Sequence, residues 1–470
     1  MGDYGFVVVA GRLPVDRVDE PDAEEEWRPS PGGLVTALEP VMREANGVWI
    51  GWPGSAGPPP EPFDVAGMHL VSVGLSEAEV GDFYEGFCNA TLWPLYHDVI
   101  VPPEYRRPWW DAYVTVNRRF ARAAADQAAS GATVWVNDYQ LQLVPGMLRA
   151  MRSDVRIGFF NHIPFPAYEI FAQLPWRRQI VQGLLGADLL GFQRTGDAAN
   201  FLRASRRGAG LTTRGSLVRV PANGAAAREV LAAAFPVSID SAAFGELAGR
   251  ADVRERAGEI RKAVGEPDVV LLGVDRLDYV KGIPNRLNAY SELLDEGRLS
   301  PSRVVLIQVA SPSRERVEQY RLLRDEVEVT VGRINGQHAE LGSPPVQYLH
   351  QSYPREEMAA LYLAADVMLV TSLRDGMNLV AKEYVACRND ETGALVLSEF
   401  TGAADELYGA FLINPHDIDG LKDGIMRAAT ISAQEARRRM RSMRRRVREN
   451  DVAHWAASFL DALKQVPGQP

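Results

Sequence analysis

The sequence predicts an α/β protein made of two doubly wound, Rossmann-like domains that face each other across a cleft. Short apolar runs alternate with helical patterns along most of the 470 residues. Because these runs are apolar almost throughout, they are typical of strands in a parallel sheet that helices cover on both faces. A chain of this length exceeds one ordinary core, so at least two domains are expected.

The first set of strands lies before residue 238, and most of its runs end in polar residues. Residues 205–230 are rich in Gly, Ala and Arg and show no clear period, so we predict an irregular segment there. The predicted strands of this half are 6–10, 48–50, 133–136, 157–160 and 188–192.

The second set begins after 236–240, which is typical of a link between domains. We predict a first domain over 1–238, a second over 239–445, and a C-terminal helix over 446–470 that packs back on the first domain. The strands of the second half are predicted at 269–273, 304–308, 346–349, 367–370 and 394–397.

The composition of the chain disfavours several functional classes. The formal net charge is −10, from 51 basic and 61 acidic residues, which disfavours a general binder of nucleic acid or of membrane surfaces. No apolar run is long enough to span a membrane, and no signal peptide is evident. The two cysteines, Cys88 and Cys387, are far apart in sequence, so we expect a cytoplasmic protein without disulfides. The Arg-rich stretch 435–450 is interpreted as a helix with a solvated face and an apolar stripe.

Residues 371–385 carry the strongest signal for a binding site. A buried strand runs into a polar turn and then into a helix, an arrangement that points free backbone N–H groups at an anion. Two carboxylates, Asp375 and Glu383, bracket the turn, so one can face a sugar and the other a ribose. The stretch is interpreted as a site for a donor nucleotide.

Arg276 and Lys281 follow the first strand of the second domain. Two cations at a strand end can neutralise a leaving diphosphate, a role that a metal ion plays in other enzymes. The alternative is a surface network of Arg with Asp275 and Asp278. No metal-ligand motif, Walker motif or dinucleotide fingerprint is present, so neither a metal nor a cofactor is expected. The pair Asp417 and Asp419 is interpreted as helix capping.

A second anion site is suggested by two guanidinium groups, a phenol and an indole: Arg12, Tyr84, Trp93 and Arg314. Such groups suit a phosphate monoester. Sequence spacing cannot show that they converge, and the aromatic residues of 83–97 are equally typical of a packed core. The Gly pair in 30–34 fits either a turn or a phosphate cradle.

With these motifs collected, the chain resembles trehalose-6-phosphate synthases, retaining glycosyltransferases of the GT-B fold. The resemblance covers nearly the whole chain and is weakest at 14–30, 55–75 and 205–230. The matching motifs, all in order, are 30–34, 84–94, 138–139, 159–166, 276–282, 313–314 and 375–385.

The resemblance implies substrates and roles. The partners would be a nucleoside diphosphate glucose and glucose 6-phosphate, with no metal or other cofactor, no nucleic acid and no membrane. The first domain would bind the acceptor and the second the nucleotide sugar. Arg12, Tyr84, Trp93 and Arg314 would hold the acceptor phosphate, and Asp138 and His162 would line the sugars. The implied donor contacts are Gly33, His162, Arg276, Lys281, Asp375, Gly376, Met377, Asn378, Leu379, Val380 and Glu383, of which Arg276, Lys281 and Asp375 would join Asp138 and His162 in catalysis.

The family transfers glucose with retention, and the usual proposal is a same-face mechanism in which the leaving phosphate takes the acceptor proton. Asp138 as a covalent nucleophile is the alternative.

Two other functions compete: a related pseudo-glycosyltransferase that couples cyclitols, and a catalytically silent sensor of sugar phosphate. Neither the donor base (uridine, guanosine or adenosine) nor the oligomeric state follows from the sequence, and a homo-oligomer is one option. The chain departs from the family pattern at Gly11, Gln140, Asn161 and Ser372.

Overall fold

The computed structural model divides the chain into two compact units, Met1–Val237 with Ala453–Pro470, and Ser238–Val452. The motif at 30–34, and Gly33 with it, lies outside the described residues. The structure describes residues 2–18, 26–29, 42, 45–221, 227–340 and 343–466.

The first unit is built on a ten-stranded sheet of order β10-β11-β12-β9-β8-β7-β1-β4-β6-β5. Its central strands, from β12 to β6, pair in parallel, and antiparallel pairs close both edges. A separate antiparallel pair is formed by β2 and β3. The strands are β1 Tyr4–Arg12, β2 Val15–Val18, β3 Glu26–Pro29, β4 Val48–Trp52, β5 Phe63–Val65, β6 Met68–Ser72, β7 Ala128–Asn137, β8 Arg156–Phe160, β9 Leu189–Phe192, β10 Thr212–Arg214, β11 Leu217–Val220 and β12 Arg228–Ala234.

Helices of the first unit pack on this sheet through apolar stripes at helical spacing. In Arg107–Gln127, for example, the buried side chains are Tyr113, Val116, Phe120 and Ala124, with Asn117 and Ala121 beside them. Aromatic residues of 83–97 supply much of the core, as the packing interpretation predicted. The other helical segments are Glu77–Glu79, a π-helical stretch Val80–Leu92, Trp93–Tyr96, a 3-10 turn Tyr139–Leu141, Val144–Met151, Tyr168–Phe171, Arg177–Leu184, Thr195–Ala209 and the terminal Val452–Gln465.

The prediction of an irregular segment over 205–230 is wrong. After the helix that ends at Ala209, β10 and β11 form a hairpin around Gly215, whose φ is +56°. The following strand, β12, pairs in parallel with β9. Its Ala-rich sequence has weak strand propensity, and pairing within the sheet overrides that preference.

The second unit is built on a six-stranded parallel sheet of order β15-β14-β13-β16-β17-β18. All the strands predicted for this half are confirmed, and β18 is an additional edge strand. The strands are β13 Val269–Arg276, β14 Val304–Ser311, β15 Val346–Leu349, β16 Val367–Val370, β17 Ala394–Ser398 and β18 Phe411–Ile413. The helical segments are Ser241–Gly249, Ala251–Ala263, the 3-10 turn Tyr279–Lys281, Ile283–Asp295, Glu318–His338, Arg355–Ala364, Leu379–Cys387, the 3-10 turn Gly402–Asp405, Ile418–Ala429 and Ala433–Glu449. The α/β class with two doubly wound units is therefore confirmed.

Two smaller predictions are also confirmed. The Asp417 side chain accepts the Gly420 N–H at 3.0 Å and caps the helix Ile418–Ala429. The Arg-rich helix Ala433–Glu449 buries Met440, Met443 and Val447 on one face.

Cys88 and Cys387 are buried free thiols. In the described part of the chain, no helix has the length and apolar character that crossing a membrane requires.

The C-terminal helix belongs to the first unit, but it begins later than the predicted segment 446–470. Residues up to Glu449 complete a helix of the second unit, and the terminal helix starts at Val452. Its Phe459 ring stacks on Trp135 with centroids 4.4 Å apart. A Cβ at Gly158 or Gly191 would come within 2.8 Å of the Phe459 ring, so these glycines leave the space that the ring fills.

We predict that Phe459→Ala destabilises the first unit by about 3–5 kcal/mol, because it leaves a cavity between the helix and the sheet. Urea unfolding followed by tryptophan fluorescence measures this loss. Tyr408→Ala is the matched control, since that side chain is 76% exposed, and it should change the free energy of unfolding by less than about 0.5 kcal/mol. Equal effects of the two substitutions would contradict the packing described for Phe459.

Candidate active site

In the second unit, the predicted donor residues follow β13 and β16, and the predicted acceptor residue Arg314 follows the neighbouring strand β14. Arg276 ends β13, Lys281 lies in the turn after it, and Asp375 follows β16. Arg314 lies in the loop after β14. Because the carboxyl ends of parallel strands share one edge, these side chains lie where doubly wound sheets bind their ligands.

Lys281 and Asp375 form an ion pair, with 2.6 Å between Nζ and Oδ2. The side chains keep 13% and 15% exposure, so the pair is accessible to a ligand. A close approach of the two loops makes the contact possible: a Cβ at Gly282 would lie 2.2 Å from the Thr371 carbonyl oxygen. Gly282 also has a φ of +64°, a conformation that favours glycine.

Asn378 joins the same cluster from the start of the helix Leu379–Cys387. Its Oδ1 accepts the Ala381 N–H at 3.0 Å, and its Nδ2 donates to Asp375 Oδ2 at 3.1 Å. Leu379 and Val380 are the first residues of this helix, so their N–H groups have no acceptor within it. The strand–turn–helix arrangement predicted for 371–385 is therefore present, and its helix start lies beside Lys281.

A buried layer lies beneath these residues. The Arg286 side chain is fully buried and donates to Asp275 Oδ2 at 2.7 Å, Gln308 Oε1 at 2.7 Å and Thr371 Oγ1 at 3.1 Å. It thereby links the carboxyl ends of β13, β14 and β16. The alternative interpretation placed Asp275 in a surface network. That interpretation is wrong, because the partner of Asp275 is the buried Arg286.

Arg314 has its partners inside the second unit. The guanidinium donates to Asp278 Oδ2 at 3.1 Å and to the Tyr320 hydroxyl oxygen, and only 7% of the Arg314 side chain is exposed. The Tyr320 O–H in turn donates to Asp278 at 3.2 Å. Asp278 is fully buried, so it too is no part of a surface network.

Glu383 lies one turn into the helix that Asn378 caps. The Tyr362 hydroxyl donates to Glu383 Oε2 at 2.7 Å. Burial raises the pKa of the Glu383 carboxyl above its usual range. The bond to Tyr362 fixes one carboxylate oxygen, which leaves the other for a further hydrogen bond.

In the first unit, Arg12, Asp138 and His162 lie at the carboxyl ends of β1, β7 and β8, and Trp52 ends the neighbouring β4. Tyr84 lies in the π-helical stretch Val80–Leu92, and Trp93 begins the helix Trp93–Tyr96. The Arg12 guanidinium lies 5.5 Å from the centre of the Trp52 ring, and the Tyr84 ring lies 5.2 Å from the same ring. A Cβ at Gly54 would collide with the Arg12 guanidinium at 2.0 Å. Trp52 therefore brings Arg12 and Tyr84 together, and the Gly54 turn leaves room for the arginine.

Asp138 and His162 meet where β7 and β8 end. Asp138 has a φ of +73°, and its Oδ1 accepts the His162 N–H at 3.0 Å. His162 Nε2–H donates to Asn137 Oδ1 at 3.2 Å. The imidazole packs against Phe160 and Trp455, and this burial lowers the pKa of His162 to about 3. At neutral pH the ring is an uncharged hydrogen-bonding group.

Trp93 is buried beside the same strand end. Its ring lies 4.2 Å from His97 and 5.6 Å from Tyr139, the residue that follows Asp138. The Tyr139 hydroxyl donates to Asn89 Oδ1 at 2.9 Å. Trp93 thus supports the turn that presents Asp138.

The four residues that we interpret as departures from the family pattern make local contacts that fit them. A Cβ at Gly11 would lie 3.3 Å from Gln140 Cδ, so the two departures are neighbours and the small residue makes room for the longer one. Asn161 donates to the Ile163 carbonyl at 2.6 Å. Ser372 Oγ donates to Asp375 Oδ2 at 3.3 Å.

Several supporting residues were not predicted, among them Trp52, Arg286 and Tyr320. Arg286 had a usable signal, because it lies within the apolar stripe Ile283, Leu287, Tyr290 of its helix, where a charged residue requires a buried partner. In the described ranges, no cluster of three or more His, Cys, Asp or Glu side chains is arranged to hold a metal ion.

Comparison with known proteins places the chain in a family. The sequence profile of glycosyltransferase family 20 matches residues 4–465. A trehalose-6-phosphate synthase of Mycolicibacterium gilvum is 59% identical over 468 residues, which is 97% of this chain and 93% of that protein.

Two solved structures share the fold. One is a UDP-forming α,α-trehalose-phosphate synthase from Burkholderia xenovorans in complex with glucose 6-phosphate, with a TM-score of 0.88, 35% identity, and coverage of 98% of this chain and 99% of that one. The other comes from work on glycosyl transfer with retention, using bisubstrate glycomimetics of trehalose-6-phosphate synthase, with a TM-score of 0.88, 33% identity, and coverage of 99% and 100%. The chain belongs to glycosyltransferase family 20, the family of the trehalose-6-phosphate synthases.

Proposed function

We propose that this protein transfers glucose from a nucleoside diphosphate glucose to glucose 6-phosphate, which yields α,α-trehalose 6-phosphate and a nucleoside diphosphate. The observation that carries the proposal is the Lys281–Asp375 pair beside the start of the helix Leu379–Cys387. It sets a cation, a carboxylate and unpaired helix N–H groups side by side, which matches a diphosphate joined to a sugar. Support comes from the M. gilvum relative and the B. xenovorans complex, whose named activity and ligand fit these substrates.

The proposed donor contacts bind three parts of the nucleotide sugar: the diphosphate, the glucose and the ribose. Arg276, Lys281 and the N–H groups of Leu379 and Val380 bind the diphosphate. Asp375 accepts hydroxyls of the transferred glucose, and Asn378 holds that carboxylate in place. The free oxygen of Glu383 accepts a ribose hydroxyl, since Tyr362 occupies the other oxygen. Gly376 and Met377 shape the turn between these groups.

Each unit presents side chains suited to the acceptor. Arg12 and Tyr84, gathered on Trp52, and the buried Trp93 bind the acceptor phosphate from the first unit. In the second unit, Arg314 is held by Asp278 and Tyr320 and presents a guanidinium that also suits a phosphate monoester. Asp138 and His162 line the sugars. Two guanidinium groups are suited to a phosphate monoester because each presents paired N–H donors.

Transfer proceeds on one face of the donor glucose. The bond between C1 and the β-phosphate oxygen breaks, a bond from C1 to the acceptor O1 forms, and the O1 proton passes to the departing phosphate. Arg276 and Lys281 stabilise the charge that develops on the diphosphate. His162 is uncharged at neutral pH and acts as a hydrogen-bonding group. The stereochemistry agrees with the retention described for the related synthase.

The test is an assay of the purified protein with glucose 6-phosphate and UDP-, GDP- and ADP-glucose. Release of nucleotide and formation of the α,α-linked disaccharide phosphate, checked by NMR, are expected with at least one donor, and that donor identifies the base. Preferential turnover of an amino-cyclitol phosphate would instead support the cyclitol-coupling function. Calorimetric binding of both ligands without turnover would support the silent sensor, and either outcome would overturn the proposal.

We predict that Lys281→Ala and Arg276→Ala each lower kcat/KM by about 30- to 1,000-fold, equivalent to roughly 2–4 kcal/mol of transition-state stabilisation. Steady-state kinetics with the best donor measures the loss. Lys422→Ala is the matched control, because that lysine pairs with Glu292 and Glu296 in the same unit. An unchanged kcat/KM in Lys281→Ala or Arg276→Ala would refute that residue's contact with the diphosphate.

For Arg314→Ala we predict a KM for glucose 6-phosphate that rises at least tenfold, with a much smaller change in the donor KM. Tyr320→Phe serves as the control, because it removes a hydrogen-bonding partner of Arg314 and keeps the guanidinium. It should have the weaker effect on the glucose 6-phosphate KM. A rise confined to the donor KM would place Arg314 outside the acceptor site.

The low pKa of His162 predicts a dependence of stability on pH. The unfolded chain binds a proton at this residue below about pH 6.5, whereas the folded protein does so only near pH 3. The buried, unprotonated imidazole of His162 therefore contributes its full stabilisation of the folded protein above about pH 6.5. This contribution is lost as the pH falls toward 3. Between pH 7 and pH 5 the free energy of unfolding should fall by about 2 kcal/mol more in the wild type than in His162→Gln.

Urea unfolding at the two pH values measures this difference. His454→Gln is the control, since it removes an exposed imidazole from the terminal helix. That variant should keep the pH dependence of the wild type. If His162→Gln keeps it as well, the imidazole is not the titrating group.

A further inference from the structure

Asp138 holds a backbone conformation that an L-amino acid rarely adopts. Its φ is +73° and its ψ is 170°, which lies in a region of backbone space that is almost confined to glycine. A strained residue keeps such a conformation only where the surrounding structure enforces it. Contacts on both sides of Asp138 must therefore fix the path of the chain at the carboxyl end of β7.

The segment 139–143 connects Asp138 to the helix Val144–Met151, and most of it is buried. It contains a single 3-10 turn, Tyr139–Leu141, so it has few regular main-chain hydrogen bonds. Buried peptide groups of an irregular segment need other partners, because they have no access to water. Side chains from a neighbouring element supply those partners.

Tyr113 is the first of these side chains. It lies on the helix Arg107–Gln127 and is fully buried. Its hydroxyl donates to the Tyr139 carbonyl oxygen at 2.8 Å and accepts the Gln142 N–H at 3.1 Å. Burial raises the pKa of the Tyr113 hydroxyl well above its usual range, so the group remains a neutral donor. The Gln142 side chain is itself held, because its Oε1 accepts the Tyr96 O–H at 2.8 Å.

Asn117 is the second side chain, and it lies one helical turn after Tyr113. It too is fully buried. Its Nδ2 donates to the Gln140 carbonyl oxygen at 3.0 Å, and its Oδ1 accepts the Leu143 N–H at 3.1 Å. Each of the two side chains therefore joins one carbonyl to the N–H three residues further along the chain. Together they fix the path of the segment that follows Asp138.

The strain falls on Asp138 because the chain is fixed on both sides of it. The strand β7 ends at Asn137, and the Asp138 N–H donates to the Phe160 carbonyl oxygen at 2.8 Å. The segment after Asp138 is bound to the helix Arg107–Gln127. In this conformation Asp138 Oδ1 accepts the His162 N–H at 3.0 Å, so the strained backbone also sets the direction of the carboxylate.

We propose that Tyr113 and Asn117 are positioning residues for the transfer reaction, because they hold Asp138 in its strained conformation and thereby aim its carboxylate. The inference rests on the proposed function, in which Asp138 lines the sugars. Neither side chain has to touch a substrate, since both are fully buried against the turn. Loss of either set of hydrogen bonds lets the backbone of Asp138 relax, which moves the carboxylate away from the sugars.

The first test measures the strain and requires no activity. Asp138→Gly and Asp138→Ala both remove the carboxylate and differ in backbone freedom. Glycine is ordinarily the less stable of the two, because it loses more conformational entropy on folding. At this position Asp138→Gly should instead melt about 2 °C or more above Asp138→Ala. Calorimetric melting temperatures measure the difference.

The same pair is then compared in a Tyr113→Phe background. The difference between glycine and alanine at position 138 should become smaller there, because the turn is free to relax. Asp138→Gly melting below Asp138→Ala in the otherwise wild-type chain would overturn the proposal. A difference of the same size in both backgrounds would overturn it as well, since Tyr113 would then not be the source of the strain.

The second test follows the reaction. Tyr113→Phe keeps the ring and removes only the hydroxyl, and it should lower kcat by about tenfold or more. The KM for the nucleotide sugar should change much less, because the residues proposed to bind its diphosphate lie in the second unit. Steady-state kinetics with the best donor, well below the melting temperature, separates the two parameters.

Tyr290→Phe is the matched control. Its hydroxyl is also buried and donates to the carbonyl oxygens of Val304 and Pro345, at 3.0 and 3.1 Å. These carbonyls lie at the amino ends of β14 and β15, on the sheet edge opposite the candidate site. The control should lower the melting temperature as Tyr113→Phe does and leave kcat unchanged.

The outcomes separate the proposal from the proposed function. An unchanged kcat in Tyr113→Phe, or an equal loss of kcat in both variants, would overturn the positioning role. A wild type without turnover would refute the proposed function, and the melting temperatures at position 138 would still decide whether Tyr113 holds Asp138 under strain.

Discussion

The contact between Lys281 and Asp375 is the constraint on which the rest of the second unit's site depends. It joins the turn after β13 to the turn after β16, residues that are 94 positions apart in sequence. The contact requires Gly282, because any side chain there would collide with the Thr371 carbonyl. Once the turns meet, Asn378 bonds to the same carboxylate and the helix start is aimed beside the ammonium group. A cation, a carboxylate and free N–H groups are then fixed before any ligand arrives.

Buried charges beneath this contact hold the strand ends. Arg286 with Asp275, and Arg314 with Asp278, are removed from water and held by directed hydrogen bonds. Such pairs add little stability compared with apolar packing, but loss of one partner leaves an isolated buried charge and is costly. Their effect is therefore positional: Arg286 connects three strands, so the loops that carry Arg276 and Asp375 cannot shift independently. The first unit achieves a similar result with aromatic rings, where Trp52 gathers Arg12 and Tyr84.

The sequence predicted the parallel core well, because strands such as 269–273 and 367–370 are apolar throughout and leave little ambiguity. It failed at β12, where an Ala-rich segment becomes a strand only through pairing with β9. It identified the stretch containing Asp375 because strand, turn and helix are local patterns. The partners of Arg314 and Asp275 could not be predicted, since ion pairs between distant residues are set by tertiary packing. Arg286 was missed because an arginine in a helix is ordinarily solvated.

The central claim is that the Lys281–Asp375 contact positions a cation for the donor diphosphate. Calorimetric titration of the wild type and of Lys281→Ala tests it most directly, with the nucleoside diphosphate of the best donor and with the matching monophosphate, because the two ligands differ only in the second phosphate. We expect the wild type to bind the diphosphate more tightly than the monophosphate. In Lys281→Ala that difference should largely disappear, while the affinity for the monophosphate changes little. An unchanged preference for the diphosphate in the variant, or an equal loss of affinity for both ligands, would contradict the account.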